Sequence, residues 1–291
     1  MKRLLLVDGN NLVMRYASVP MFQRFTYKGE PTGAIHGSVK GIIDAWDKYK
    51  PDEIAVIFDG EGAKEIKRKI YSGYKANRVK QTDSIAGQME YTRAVLKAAG
   101  IYVYHQMSKD ADDVIGSFSR LKRNVLIMSN DKDFSSLVST RVCLIQKDIV
   151  KVNDVVNRYQ VHPKRFAEYL ALVGDSVDGI PGLTGCGPKN AVMILEYCKT
   201  WEDVLNNPPD AWKERIKKQR ALLKKFYRLC IINKEAVDKD TIKRSIPLLT
   251  PQPISKDLFQ LLQLRGLKAL ETIFRGRRSL AIENGILNSL N

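Results

Sequence analysis

In the N-terminal half of the chain, short apolar runs alternate with segments of helical periodicity, and this alternation constrains the fold more than any other feature. It predicts strands at 3–8, 53–59, 101–106, 124–131 and 142–146, and helices at 33–50, 89–100 and 111–122. The strands are continuously apolar, as expected when both faces of a sheet are covered. The pattern therefore predicts an α/β fold with a mostly parallel sheet flanked by helices.

From about residue 163 the sequence pattern changes: strand-like runs nearly disappear, and helical segments follow one another. These segments are 163–174, 188–198, 213–232 and 256–274. We therefore expect two parts, an α/β core over 1–162 and a helical subdomain over 163–291.

Composition narrows the class of partner. The formal net charge is +16, with 48 Lys and Arg against 32 Asp and Glu, which favours a polyanion. A membrane surface is the rival, but it calls for a basic amphipathic helix or a lipidation signal, and no lipidation motif is visible. No apolar stretch approaches the ~18 residues of a membrane span. The apolar run near the start is too short for an export signal, so we expect a cytoplasmic protein.

The acids follow the predicted strands. Asp8 ends the first strand, Asp59 ends the second, and the others come after the later strands or open the helical part; these others are Asp110, Asp112, Asp113, Asp131, Asp133, Asp175 and Asp178. The carboxyl ends of parallel strands share one edge of a sheet, where ligands bind. Crowded carboxylates raise one another's pKa, so such a cluster calls for hard divalent cations. All-oxygen ligands suit Mg²⁺ or Mn²⁺, and two ions ~3.5–4 Å apart suit displacement at phosphorus.

Each acid taken singly also fits a turn or a helix cap. Asp110, Asp112 and Asp113 in particular stand where the first turn of a helix welcomes negative charge, so this trio alone leaves a capped helix and a metal site equally open. The three histidines and the four cysteines show no ligand spacing, and a structural role is expected for both sets.

Three basic segments are candidates for phosphate contact. Residues 64–80 interleave lysines and arginines with Tyr71 and Tyr74, which suits phosphates and unpaired bases, although a solvated helix face is the plain alternative. Residues 180–195 predict a helix-hairpin-helix, because three glycines allow a tight loop and Pro188 suits a first helical turn. Its plain alternative is a glycine-rich turn between helices. Residues 212–228 form the third basic segment, and the sequence favours neither contact with nucleic acid nor plain exposure to solvent.

The motifs VDGNN, FDG, YKANR, DADD, SNDKDF and GDSVDGIPGLTGCGPKNA stand in an order and spacing that resemble the 5′-nuclease, or flap endonuclease, family. That family includes bacteriophage 5′-exonucleases and the N-terminal domain of bacterial DNA polymerase I. The match runs from about residue 3 to 200. The resemblance implies a PIN-like nuclease core with an arch at about 64–100 and a helix-hairpin-helix at about 176–197.

The resemblance also implies roles for single residues. The acids named above match metal-site carboxylates, Lys75 an active-site lysine, and Arg78 its nearby arginine. Tyr74 matches a residue placed to stack on a base. The DNA-binding hairpin, which often holds K⁺ as well, is matched by Gly182, Gly185, Gly187 and Lys189.

Two departures from the family pattern stand out. Asp110 occupies a position where glutamate is usual, so its shorter side chain predicts a water-mediated metal contact. Lys67 occupies a position where arginine is usual, which removes a bidentate phosphate contact. No polymerase module follows, so we expect a free-standing nuclease.

The expected function is a divalent-metal-dependent 5′→3′ exonuclease and flap endonuclease of replication or repair. It would act as a monomer on DNA with a 5′ end or flap, and RNA–DNA hybrids are further substrates implied by the family. A non-catalytic DNA-binding protein would have lost the acids at the strand ends. A D-x-D phosphohydrolase would need an acid where Asn10 stands, and a ribonuclease with a related small core would lack the hairpin.

Overall fold

The computed structural model describes residues 1–77 and 82–277. Its strands are β1 (Arg3–Asp8), β2 (Thr26–Tyr27), β3 (Glu30–Pro31), β4 (Glu53–Phe58), β5 (Tyr102–His105), β6 (Asn124–Met128), β7 (Val142–Ile145) and β8 (Ile149–Val150). Its first helices are α1 (Gly9–Ser18), α2 (Pro20–Gln23), α3 (Gly33–Tyr49), α4 (Ala63–Ile70), α5 (Asp83–Ala98), α6 (Ala111–Phe118) and α7 (Val152–Tyr159). The later helices are α8 (Phe166–Val173), α9 (Pro188–Tyr197), α10 (Trp201–Asn206), α11 (Asp210–Cys230), α12 (Lys239–Ser245), α13 (Asp257–Leu264) and α14 (Lys268–Arg275). Short 3₁₀ helices span Lys132–Leu137, Pro163–Arg165 and Ile246–Leu249.

The main sheet has the order β5-β4-β1-β6-β7-β8, and every neighbouring pair is parallel except β7 with β8. Both faces are buried. Leu4 and Leu6 of β1 point into one hydrophobic cluster, and Leu5 and Val7 point into the other. This explains why the strand is continuously apolar, and it confirms the predicted mostly parallel α/β sheet.

The structure corrects several predicted helix ends. The helix predicted over 89–100 begins earlier, at Asp83, because the hydroxyl of Thr82 caps it by accepting the Ile85 N–H. The helix predicted over 111–122 ends at Phe118. The segment predicted as 256–274 is two helices, since Gly266 adopts a φ of +61° between them.

Helices α8 to α12 follow the sheet, as the sequence predicts. Helices α13 and α14 return to the first part of the chain, where Leu258, Leu262 and Phe274 join the cluster that contains Trp46 of α3. The hydroxyl of Tyr91 in α5 also donates to the Leu261 carbonyl at 2.7 Å. Within the two described ranges, no helix combines the length and apolar character needed to cross a membrane.

Candidate active site

Three acids stand where parallel strands end. Asp8 is the last residue of β1 and caps α1, because its Oδ1 accepts the Asn11 N–H at 3.0 Å. Asp59 follows β4, and its Oδ1 accepts the Ala111 N–H of α6 at 2.9 Å. Asp131 lies beyond β6 and begins a 3₁₀ turn by accepting the Asp133 N–H at 3.0 Å. Strands β4, β1 and β6 are neighbours, so the structure places these acids along one edge of the sheet.

Uncharged side chains fix the strand ends that carry these acids. The buried Ser129 hydroxyl donates to Asp8 Oδ2 at 2.9 Å and accepts the Asp131 N–H at 3.1 Å. Asn10 Oδ1 accepts the Asp59 N–H at 2.9 Å, and Asn11 Oδ1 accepts the Asn130 N–H at 3.2 Å. Ser129, Asn10 and Asn11 therefore hold three neighbouring strand ends in register by side-chain hydrogen bonds.

The acids of the DADD motif make different contacts. Asp110 caps α6, because its Oδ1 accepts the Asp112 N–H at 3.1 Å, and its Oδ2 lies 3.0 Å from the Lys67 ammonium. Burial alone would raise the pKa of Asp110, but Lys67 and Lys75 more than offset this effect and the pKa is lowered. Asp113 Oδ1 accepts the Asn233 N–H at 2.8 Å, which ties α6 to the segment after α11.

Several of the remaining carboxyl groups have raised pKa values. Burial, and then the charges of Asp59 and Asp131, raise the pKa of Asp8 to about 7. Burial and the neighbouring acids hold the pKa of Asp112 and Asp133 well above the ordinary value. Such coupling requires carboxyl groups a few ångströms apart. The acids therefore line one space, the carboxylate crevice, formed by Asp8, Asp59, Asp112, Asp113, Asp131, Asp133, Asp175 and Asp178.

The helical subdomain supplies the last two acids from a short turn. Asp175 and Ile180 exchange backbone hydrogen bonds of 2.7 and 2.8 Å, which closes the turn. Gly179 adopts a φ of +68°, and a Cβ there would lie 2.4 Å from the Gly73 carbonyl oxygen. Only a glycine therefore permits this close approach between the turn and residues 73–75.

That approach sets the position of Lys75. Its N–H donates to the Asp178 carbonyl at 2.8 Å, and its ammonium lies 3.4 Å from Asp178 Oδ2. Lys75 is buried and has a φ of +51°, a conformation that few residues other than glycine adopt. Arg68 clamps the same turn by donating to the Tyr74 and Lys75 carbonyls at 3.3 and 3.1 Å. Strain of this kind persists only where surrounding contacts over-determine it.

Lysine ammonium groups stand among the acids. Lys132, between Asp131 and Asp133 in the chain, reaches Asp175 Oδ2 at 3.1 Å.

Within residues 1–77 and 82–277, no group of three or more His, Cys, Asp or Glu side chains is arranged to hold a metal ion as it stands. The chemistry of the set nevertheless fits a hard divalent cation, because its donors are all oxygen and their charges repel one another. Asp133 Oδ1 is buried and has no hydrogen-bond partner among the described atoms, so it could serve as a metal ligand. Asp110 fits less well, since both of its oxygens are engaged.

Two residues of the basic segment lie elsewhere than expected. The Tyr74 ring is 2% exposed in the main hydrophobic cluster, and the Lys75 and Lys67 ammonium groups lie 4.9 and 6.0 Å from its centroid. It presents no face to a base in this structure. Lys67 is drawn inward by Asp110, so it is not a surface phosphate contact. Arg78 lies outside the described residues.

A cavity of about 610 Å³ opens beside Asp59, between α4 and α5. Its lining includes Lys64, Arg93 and His105, together with Glu61 and Glu90. The cavity therefore adjoins the carboxylate crevice on the side of the expected arch.

The hairpin loop, residues 174–187, joins α8 to α9. Gly182 and Gly185 adopt φ values of +73° and +75°, so the tight turns that the sequence predicts are present. Gly187 differs, because its φ of −80° is open to any residue and a Cβ there would meet no described atom within 4 Å. Pro188 begins α9 and the exposed Lys189 follows it, so the first turn of α9 faces solvent.

Sequence reasoning missed Ser129, Asn10, Asn11, Arg68, Lys132 and Gly179. Asn10 and Asn11 belong to the motif VDGNN, and Gly179 belongs to GDSVDGIPGLTGCGPKNA. Their roles are not visible there, because the residues they contact are distant in the chain. Ser129 is the first residue of the motif SNDKDF, but a serine after a strand is also an ordinary turn residue, and its partner Asp8 lies far away in the chain.

Comparison with known proteins agrees with this geometry. Residues 3–164 match the family model of the 5′-3′ exonuclease N-terminal resolvase-like domain, and residues 161–249 match the 5′-3′ exonuclease C-terminal SAM fold. A 5′-3′ exonuclease of Aquifex aeolicus is 34% identical over 94% of this chain and 97% of its own length. A DNA polymerase I of Caldicellulosiruptor bescii is also 34% identical, over 70% of this chain but 25% of the polymerase.

Solved structures share the fold. The T5 D15 protein co-crystallised with metal ions has a TM-score of 0.70 at 19% identity, and the match covers 89% of this chain and 99% of that one. The catalytic core of Rad2 in complex with a DNA substrate has a TM-score of 0.54 at 16% identity, covering 97% and 92%.

An α/β core with carboxylates along one edge of its sheet, next to a helical subdomain, is the architecture of a nuclease. This chain belongs to the 5′-3′ exonuclease family, and it is a 5′ nuclease. The family and fold predicted from the sequence are thereby confirmed.

Proposed function

We propose that the chain hydrolyses phosphodiester bonds at 5′ ends and at the base of 5′ flaps in branched DNA, as a monomer with Mg²⁺. Mn²⁺ can substitute for Mg²⁺, and RNA–DNA hybrids are further substrates. The enzyme acts in DNA replication or repair, in the cytoplasm of a bacterial or phage-infected cell. The observation that carries the proposal is the placement of Asp8, Asp59 and Asp131 along one edge of the sheet, with lysines paired to the acids of the adjoining turn.

Bound divalent ions, two by this proposal, would lower the pKa of water and stabilise the charge that develops on the phosphate. The crevice residues would hold them. Asp133, with its unsatisfied buried oxygen, is the strongest single candidate for direct contact. Ser129 keeps Asp8 and Asp131 oriented, and Asn10 keeps Asp59 in place.

Together with Arg78, Lys75 would steady the scissile phosphate. Its burial and its fixed backbone place one positive charge at the crevice without the cost of ordering a mobile side chain. Metal ions held by Asp175 and Asp178 would neutralise these acids in place of Lys132 and Lys75. Both lysines would then be available to bind an anion.

The α/β core over 1–162 would carry the chemistry, and the subdomain over 163–291 would hold the substrate. The single strand would pass through the arch at about 64–100, beside the cavity next to Asp59. The hairpin element at about 176–197 would bind duplex phosphates through Gly182, Gly185, Gly187 and Lys189, with K⁺ as a further ligand of the loop. Tyr74 would stack on a base only after a movement that uncovers its ring.

The test is a 5′-end-labelled flap substrate incubated with Mg²⁺, with the product lengths mapped. We expect release of the intact flap, which separates endonuclease from exonuclease activity. Excess EDTA should stop cleavage, and Asp131→Asn should abolish it while DNA binding stays near that of the parent. Full activity in EDTA, or an Asp131→Asn protein that cuts at the parent's rate, would overturn the metal mechanism.

A further inference from the structure

The long helix α11 carries basic residues on two opposite sides, and the sides have different neighbours. On one side the Gln219 side chain exchanges two hydrogen bonds with Thr184 of the hairpin loop, at 3.2 and 2.6 Å. On the other side the Arg220 guanidinium donates to Asn206 at the end of α10. The hairpin loop is therefore docked against one defined side of α11.

Helical spacing assigns the remaining charges to these sides. Arg215 and Lys218 lie one turn apart, and Arg215 and Gln219 are at i, i+4, so both cations lie toward the loop. Lys213 and Lys224 fall with Arg220 on the α10 side, at i, i+7 and i, i+4 spacings. All four cations are exposed.

Arg215 is held directly over the loop. Its Nη1 would lie 3.3 Å from a Cβ built on Gly185, so the guanidinium covers the exposed backbone of that glycine. The Trp212 ring supports the same guanidinium at 5.1 Å from its centroid. Glu214 stands one turn before Lys218 and partly offsets its charge, so Arg215 is the stronger of the two cations.

We propose that Arg215 and Lys218 extend the hairpin loop into one continuous surface that binds the backbone of duplex DNA. The inference rests on the proposed function for its ligand and goes beyond it in assigning these two residues. The geometry matches a phosphate-binding surface, because exposed cations flank exposed loop backbone and the first turn of α9. Lys213 and Lys224 are excluded from this surface by their position on the helix.

The test compares two double variants of equal charge change, Arg215→Gln with Lys218→Gln, and Lys213→Gln with Lys224→Gln. Glutamine keeps most of each aliphatic stem, and thermal unfolding should show parent-like stability for both proteins. Binding of a blunt DNA duplex and of a single strand of equal length is measured in EDTA over a range of salt. Each lost phosphate contact flattens the slope of log affinity against log salt by about 0.9 on B-DNA.

We expect the Arg215/Lys218 variant to flatten the duplex slope by about one to two units and to weaken binding, with the Lys213/Lys224 variant close to the parent. Equal loss in both variants means a diffuse charge effect and overturns the proposal, as does an unchanged slope in the first variant. A loss confined to the single strand overturns it too, because the ligand is then not duplex. Since binding is measured without catalytic metal, a parent that fails to cut flaps refutes the proposed function and leaves this result standing.

Discussion

The carboxylate crevice and the hairpin loop hold charge in opposite ways. The crevice acids are buried or half-buried, partners such as Ser129 orient them, and Lys75 and Lys132 neutralise them in part. The tip of the hairpin loop, at Thr184, Gly185 and Gly187, is exposed, and Lys189 next to it also lies at the surface. A buried charge acts through its orientation and a low dielectric, whereas an exposed charge acts through its number and is screened by salt. The two regions should therefore respond differently to the same kind of substitution.

Among substitutions that leave every acid in place, the largest effect is expected from Lys75→Ala. Loss of one oriented charge at a developing anion costs roughly 10²–10³-fold in rate. DNA affinity should change little, because one charge is a small part of the basic surface of the chain. Single-turnover cleavage at saturating enzyme separates the two quantities.

Lys69→Ala is the matched control for Lys75→Ala, since Lys69 belongs to the same basic segment but is exposed on α4. It should leave the single-turnover rate within a few-fold of the parent's, as expected for a surface charge. The contrast breaks down if Lys75→Ala damages affinity as much as rate, or affinity alone.

A smaller effect is expected from Ser129→Ala, which leaves every acid in place and removes only the bridge between Asp8 and Asp131. Partners that orient ligands contribute about 10–100-fold in metal affinity or activity. We expect a rise of that order in the Mg²⁺ concentration for half-maximal rate, measured at saturating DNA.

Ser38→Ala serves as its control, because the Ser38 hydroxyl is also buried but has no hydrogen-bond partner among the described atoms. Its Mg²⁺ dependence should equal the parent's. A Ser129→Ala protein with an unchanged Mg²⁺ requirement would show that the hydrogen bonds only support the fold.

The two regions also differ in how far the sequence reveals them. Asp8, Asp59 and Asp131 could be assigned to one edge of the sheet because an apolar run followed by an acid marks a strand end locally. The tight turns at Gly182 and Gly185 were equally visible, because glycine at such spacing marks left-handed backbone. Helix and strand types followed from periodicity in the same way.

Local sequence patterns do not predict contacts between segments that are distant in the chain. The two departures from the family pattern, Lys67 and Asp110, look independent in the sequence, yet their side chains pair at 3.0 Å although the residues are far apart in the chain. The burial of Tyr74 was missed because it depends on the main hydrophobic cluster, to which both the sheet and the helical subdomain contribute. The role of Gly179 depends on Gly73, which approaches it only in the folded chain. Local sequence indicates which residues carry charge, but packing decides which of them remain accessible.

The smallest effect is expected from Lys189→Ala at the hairpin loop. If Lys189 neutralises one duplex phosphate, its loss flattens the slope of log affinity against log salt by up to about one unit. The single-turnover rate at saturating enzyme should stay near the parent's, because the residue is exposed and belongs to the loop surface. Asp131→Asn is the opposite case, since it removes negative charge from the crevice and should leave the slope unchanged or tighten binding while cleavage stops. Both proteins are measured in EDTA for binding and in Mg²⁺ for cleavage. A parent-like slope and affinity for Lys189→Ala would mean that the lysine contacts no phosphate, and a slower chemical step would mean that the loop and the crevice are coupled.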